Sequence, residues 1–139
     1  MQTQTPKCIS IVICNEVLED KRTNNKSLIG LFNMVATTAL PCVQPRLCIL
    51  VSLVEGQGEV PVKIRIVSPS NETLVQVEGK QHFDSPRDVA DLVFEFQSLP
   101  LHEAGEYAVD VFANDEHRAE RRFTLLLQPA AASSSQAQA

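Results

Sequence analysis

Apolar and polar positions alternate with a period of two along most of the chain. From Lys7 to Cys14, Ile9, Ile11 and Ile13 alternate with Cys8, Ser10, Val12 and Cys14, the pattern of a strand with one buried face and one partly covered face. The polar stretch from Asn15 to Ser27 has no apolar stripe and predicts a solvated loop. Leu28 to Phe32 predicts a short strand in which Gly30 marks a bulge or a close backbone approach. An irregular connection bracketed by Pro41 and Pro45 leads to Arg46–Val54, where Leu47, Ile49, Val51 and Leu53 lie on one face and Cys48, Leu50 and Val54 on the other. Both faces of that strand are expected to be covered. Val60, Val62, Ile64 and Ile66 alternate with Pro61, Lys63 and Arg65, a half-buried strand.

Further along, Thr73–Val77 predicts a short strand closed by Gly79, and Ser85-Pro86-Arg87-Asp88 opens at most one helical turn, with Ser85 as cap. Leu92, Phe94 and Phe96 form the next strand, the loop Ser98–Ala104 follows, and Tyr107, Val109 and Val111 form another. Phe123, Leu125 and Leu127 complete a hairpin. With Asp115-Glu116-His117 as its loop, Asp110 falls opposite Arg122. The pattern gives about eight short strands and no helix long enough for a crossover, so the fold class is all-β, an antiparallel two-sheet sandwich. The expected layout is a flexible N-terminus at 1–6, one sandwich domain over 7–127 and a disordered Ala/Ser/Gln tail at 128–139.

With 139 residues the chain has room for one domain, and 44% hydrophobic against 21% charged residues is an ordinary globular balance. Twelve Lys+Arg against seventeen Asp+Glu give a net charge of -5, which argues against nucleic acid or an anionic membrane as the main partner. No apolar run approaches the ~18 residues that span a bilayer, and Met1–Pro6 lacks the features of a signal peptide. A cytoplasmic protein is expected.

One constellation is recognisable. Leu92-x-Phe94-x-Phe96, then Leu99, then Glu103-x-Gly105-x-Tyr107-x-Val109 resembles the E-strand, corner and F-strand signature of immunoglobulin-like domains. In such a corner Gly105 allows a tight turn, and Tyr107 buries its ring while its hydroxyl satisfies a backbone group near Leu101 to Glu103. Val109 stands where a disulfide-linked antibody domain carries its second cysteine, and the chain has no Trp. The resemblance therefore supports the architecture and not antibody-type recognition. Over a longer span, Ile13–Val17, Leu28–Phe32, Pro41-x3-Pro45-Arg46 and Ile66-x2-Pro69-x4-Leu74 are similar to a family of small, uncharacterised bacterial proteins with an immunoglobulin-like sandwich. That resemblance implies a bacterial, non-secreted sandwich and transfers no functional residues.

Candidate chemistry is sparse. Cys8, Cys14, Cys42 and Cys48 form two Cys-x5-Cys pairs, but six residues along a strand separate two Cα atoms by ~20 Å, too far for one zinc ion or for a disulfide within a pair. A bridge between pairs, such as Cys14 to Cys48 on neighbouring strands, remains geometrically open and is disfavoured in a reducing compartment. His82, His102 and His117 each have a carboxylate nearby in sequence, Asp84, Glu103 and Glu116, without a nucleophile to act on. Arg118, Arg121 and Arg122, with Lys63 and Arg65, suggest a basic face that Glu106, Asp110 and Glu120 largely neutralise. Asn71-Glu72-Thr73 fits a glycosylation acceptor, which requires secretion and is set aside. No cofactor or metal is expected.

The informative anomaly is apolar residues on the wrong strand faces. Val12, Cys48, Leu50, Val93, Phe112 and Leu126 lie opposite the expected core positions. If several share a sheet they form a patch that a monomer seldom leaves in water, unless a loop such as Phe32–Cys42 folds over them. Phe112, Leu50, Val12, Val93 and Leu126 are therefore the expected interface, with Phe112 as its anchor. The function expected is a non-catalytic protein-binding or self-associating assembly module in a bacterial cytoplasm. The alternative is a small enzyme or a metal- or redox-dependent sensor using the cysteines and loop histidines.

Overall fold

The computed structural model describes residues 4–128, which form nine strands and no helix. They are β1 (Lys7–Glu19), β2 (Lys26–Leu31), β3 (Met34–Thr37), β4 (Cys42–Val54), β5 (Gly58–Val67), β6 (Thr73–Phe83), β7 (Val89–Leu101), β8 (Gly105–Ala113) and β9 (Glu116–Leu127). Sheet I has the order β2-β1-β4-β7 and sheet II the order β3-β9-β8-β5-β6. Ile11, Ile13, Leu47, Ile49, Val51 and Leu53 of sheet I face Val60, Val62, Ile64, Ile66, Val109, Val111, Phe123 and Leu125 of sheet II in one buried core. The period-two alternation puts these chains inside, and their burial is the main force closing the sandwich.

The corner forms as its residues imply. Tyr107 is fully buried, its ring stacks on Phe123 at 5.2 Å, and its hydroxyl donates to the Glu103 carbonyl at 2.7 Å while accepting from the Glu103 N–H at 3.3 Å. Burial pushes the phenol pKa up, so the hydroxyl stays neutral and able to donate. Gly105 sits at φ +130°, and a Cβ there would come within 3.1 Å of Pro69, so only glycine suits both the backbone and the space.

Several boundaries differ from the sequence reading, each for a local reason. A bulge between Cys8 and Ser10 turns Cys8 toward the core and leaves Ile9 61% exposed, whereas simple alternation had put Ile9 inside. The expected loop Asn15–Ser27 is mostly hairpin: β1 runs to Glu19, paired with β2, and only 20–25 turn. Strand pairing there is carried by backbone bonds, which a polar sequence does not advertise. The segment after Phe32 contains β3, which pairs with β9 in parallel, so the sandwich is not wholly antiparallel. β6 continues through Gly79 to Phe83, and β7 reaches Leu101, leaving a corner loop shorter than Ser98–Ala104. Ser85–Asp88 is a turn closed by the Asp88 N–H on the Ser85 carbonyl, not a helix.

The β8–β9 hairpin also departs from expectation. Its loop is Asn114-Asp115, both at positive φ, and a bulge on β9 leaves Arg118 unpaired opposite Val111 and Phe112. Asp110 therefore lies opposite Glu120, and Arg122 opposite Ala108, which corrects the expected Asp110–Arg122 pair. Residues 4–6, expected to be flexible, are held: Gln4 exchanges backbone bonds with Gln57, Thr5 accepts from Asn114 and Pro6 is buried. At the other end the Gln128 N–H bonds the Thr37 carbonyl, and the remainder of the predicted tail lies outside the described residues.

Candidate functional site

The outward positions of sheet I fall into cross-strand rows. Val12 of β1 lies opposite Leu50 of β4, and Leu50 opposite Val93 of β7. Val12 and Leu50 are half-buried and Val93 is 38% exposed. The next row is Leu31-Cys14-Cys48-Glu95, and on the other side Ser10-Ser52-Asp91, where the Ser52 hydroxyl donates to the Asp91 carboxylate at 2.6 Å. Three of the five expected interface residues thus form one apolar row with Cys48 beside it.

This face has a partial wall. Pairing of β1 with β4 stops at Cys14 and Cys48, and β1 continues as an arm paired with β2 alone. The Cys48 thiol lies 3.6 Å from the Asn15 carbonyl at the root of that arm. Near its tip, Asn24, Asn25, Lys26 and Leu28 border a shallow cavity of about 300 Å³ together with Leu50 and Asp91. At the root, Arg46 bridges Glu95 at 2.6 Å and Glu16 at 3.7 Å. The guanidinium's hydrogen bond and charge hold the Glu95 carboxyl below its ordinary pKa. The Phe32–Cys42 segment does not cover the row, since β3 is bonded into sheet II and Phe32, Val35 and Leu40 pack against the core.

Ile29 and Leu31 on β2 were not among the expected interface residues, yet they are 45% and 65% exposed, and Leu31 lies directly opposite Cys14. Their signal was present in the apolar run Leu28–Phe32. It became readable only with β2 recognised as an edge strand beside β1.

Phe112 and Leu126 belong to sheet II and cannot extend the row. Lys63 Nζ and Arg65 Cζ sit 4.7 and 4.6 Å from the Phe112 ring centroid, and His117 packs edge-on at 5.3 Å. The ring is a platform for cations and not a bare anchor. Leu126 lies beside Ala36 of β3, 40% exposed.

Sheet II carries its own polar cluster. His117 Nε2 meets Asp110 at 3.0 Å, and ligand-capable atoms of Asp110, His117 and Glu120 all lie within 4.8 Å of one another. Such a set can hold a divalent cation, but Arg122 already pairs with Glu120 and, at 3.0 Å, with Glu106. Arg118 pairs with Glu116, while Arg121 donates to the Ile11 carbonyl across the sandwich edge, so the basic residues disperse into separate contacts. His82 pairs with Asp84 at 3.0 Å, whereas Glu103 accepts from Ser70. Cys8 and Cys42 pack against the core and Cys14 and Cys48 face outward, so the four thiols do not converge on one ion.

The sheets, the corner and the buried tyrosine define an immunoglobulin-like β-sandwich. The chain belongs to a family of unknown function, DUF6941, whose model matches residues 9–126. A search of curated proteins returns no match. Among solved structures it is similar to an immunoglobulin-like protein from Pseudomonas aeruginosa, at 19% identity over 90% of this chain and 97% of that one, with a TM-score of 0.36. It is also similar to part of the Pseudomonas fluorescens alkylpurine DNA glycosylase AlkC, at 12% identity and TM-score 0.44 over 84% of this chain and 30% of that one. A Listeria innocua beta-glucosidase matches at 10% identity and TM-score 0.48 over 92% of this chain and 16% of that one. The chain thus spans less than a third of the glycosylase and of the glucosidase.

Proposed function

We propose that this sandwich is a non-catalytic protein-binding or assembly module of the bacterial cytoplasm, and that the outer face of sheet I is its contact surface. The observation that carries the reading is the Val12-Leu50-Val93 row, continued by exposed Leu31 and bordered by the Arg46–Glu95–Glu16 ion pairs on one side and the Ser52–Asp91 bond on the other. An apolar centre inside a polar rim is the anatomy of a protein interface. The free thiols of Cys8, Cys14, Cys42 and Cys48 suit a reducing compartment.

A second copy of the chain is the first partner to test, because the same patch on both subunits forms a closed isologous contact. Sedimentation of the full chain over a hundredfold concentration range should show reversible association. Leu31→Asp combined with Val93→Asp should weaken it at least ~10-fold, since each change buries an unpaired charge in the contact, while the thermal midpoint changes little. A chain that stays monomeric and retains no protein from a lysate of its host removes the reading. So does association that the double variant leaves intact.

A further inference from the structure

Cys14 and Cys48 are cross-strand neighbours on the outer face of sheet I, at the last register position before the β1–β2 arm leaves β4. Residues directly opposite in an antiparallel pair point to the same face, with Cα atoms about 4.5 or 5.5 Å apart according to the hydrogen-bonding class. Both separations fall within the ~4.4–6.8 Å that a disulfide accepts. Both residues carry free thiols. Each thiol now spends its proton on a carbonyl at the root of the arm, Cys14 on Glu16 at 3.5 Å and Cys48 on Asn15 at 3.6 Å. Cys8 and Cys42 have no such arrangement, since Cys8 lies opposite Leu53 and Cys42 opposite Leu101.

We infer that Cys14 and Cys48 form a reversible dithiol–disulfide site, oxidised by hydrogen peroxide, at the root of the arm. One thiolate attacks a peroxide oxygen, the O–O bond breaks, and a sulfenic acid and one water result. The second sulfur then attacks the sulfenic sulfur, the S–S bond forms, and a second water leaves with the hydroxyl and the remaining thiol proton. Two thiols lose two electrons, and one hydrogen peroxide is reduced to two waters.

Access and charge set the pace. Cys14 is 0% and Cys48 2% exposed, which favours a small oxidant over a bulky disulfide. Burial is the main cause that raises both thiol pKa values; Glu95 and Cys14 push Cys48 further up, and Arg46 acts weakly against them. Oxidation is therefore slow at neutral pH and speeds up as the thiolate fraction grows. Closing the bridge releases the Asn15 and Glu16 carbonyls from their thiol contacts, and so alters the root of the arm that borders the Leu50 cavity. The site does not depend on the proposed function, because the chemistry needs no partner.

The test uses the intact, natively folded chain and hydrogen peroxide itself. After exposure, quenching, denaturation and alkylation, the alkylatable thiols should fall from four to two. Trypsin cuts after Arg46 and separates Cys42 from Cys48, so a linked peptide carrying Cys48 and the Cys8–Lys21 segment is expected, with fragmentation placing the bond at Cys14. Dithiothreitol should restore both thiols. Cys14→Ala should leave Cys48 without an internal bridge, and Cys8→Ser combined with Cys42→Ser should leave the bridge intact. Four thiols that stay free in the folded protein overturn the inference. So does a bridge through Cys8 or Cys42, or one found only between chains. The wild-type peptide map decides the matter even if a variant fails to fold.

Discussion

The two outer faces of the sandwich are built from the same alternating strands and solve opposite problems. On sheet II the outward aromatic, Phe112, lies beneath Lys63 and Arg65, and the neighbouring carboxylates of Asp110, Glu106 and Glu120 are matched by His117 and Arg122. On sheet I the outward row Val12-Leu50-Val93 has no such cover, and its ion pairs, Arg46 with Glu95 and Glu16, stand at one end. An apolar residue at an outward position is thus not in itself a sign of an interface. What distinguishes the faces is whether the neighbouring strands supply long cationic chains that lie across it.

Both faces hang on one core, and the largest expected effect comes from breaking it. Tyr107→Ala removes a fully buried ring stacked on Phe123, and should cost about 3–5 kcal/mol in equilibrium denaturation. Tyr107→Phe keeps the ring but leaves the Glu103 N–H and carbonyl without the hydroxyl, and should cost about 1–3 kcal/mol. A Tyr107→Phe protein as stable as wild type would show that the hydroxyl contributes nothing beyond the ring, against the corner as described.

The next effect separates the faces. Phe112→Leu keeps an apolar side chain of fair size and removes both cation contacts, each worth about 0.5–1 kcal/mol at an exposed site. Stability should fall by about 1 kcal/mol, read from urea denaturation, while association through sheet I should be unchanged in sedimentation. A Phe112→Leu protein with native stability and weakened association would reverse the assignment of the two faces.

Much of this was legible in the sequence, but unevenly. The core strands declared themselves because period-two alternation and burial are the same fact: Leu47, Ile49, Val51, Ile64 and Val109 are where the pattern puts them. The Tyr107 corner was legible because its glycine, tyrosine and spacing have a single local solution. Val12, Leu50 and Val93 were readable as outward, though not as a row, because the row requires the register of three strands. Two of the misreadings come from β-bulges, of which one reverses a face and the other, with its turn, shifts a register by two residues. The bulge at Cys8/Ser10 reversed Ile9, and the Asn114-Asp115 turn with its bulge moved Asp110 from Arg122 to Glu120. Bulges are set by backbone geometry and tertiary pairing, and side-chain periodicity carries little trace of them. The fate of Phe112 was hidden for a related reason: Lys63 lies opposite it on β5, and Arg65 reaches it from the same strand, an alignment that appears only with the β5–β8 register.

The smallest expected effect concerns the ion pair at the end of the apolar row. Arg46 depresses the folded-state pKa of Glu95, chiefly by its hydrogen bond and then by its charge. A depressed carboxyl pKa stabilises the fold above the unfolded value, about 4.3 for glutamate, and that contribution disappears as pH falls through the lower folded value. Below that point the unfolded and folded states bind the same proton and the pair gives nothing. Because the pair is solvent-exposed, water screens it and the effect on stability is slight. Urea midpoints measured at pH 3, 4, 5 and 7 should therefore decline slightly less toward acid in Glu95→Gln than in wild type, with the curves converging at the lowest pH. Identical acid limbs would show the pair to be neutral for folding. Its remaining effect would then be local, fixing Arg46 between Glu95 and Glu16 beside the root of the arm, where the sheet I face ends.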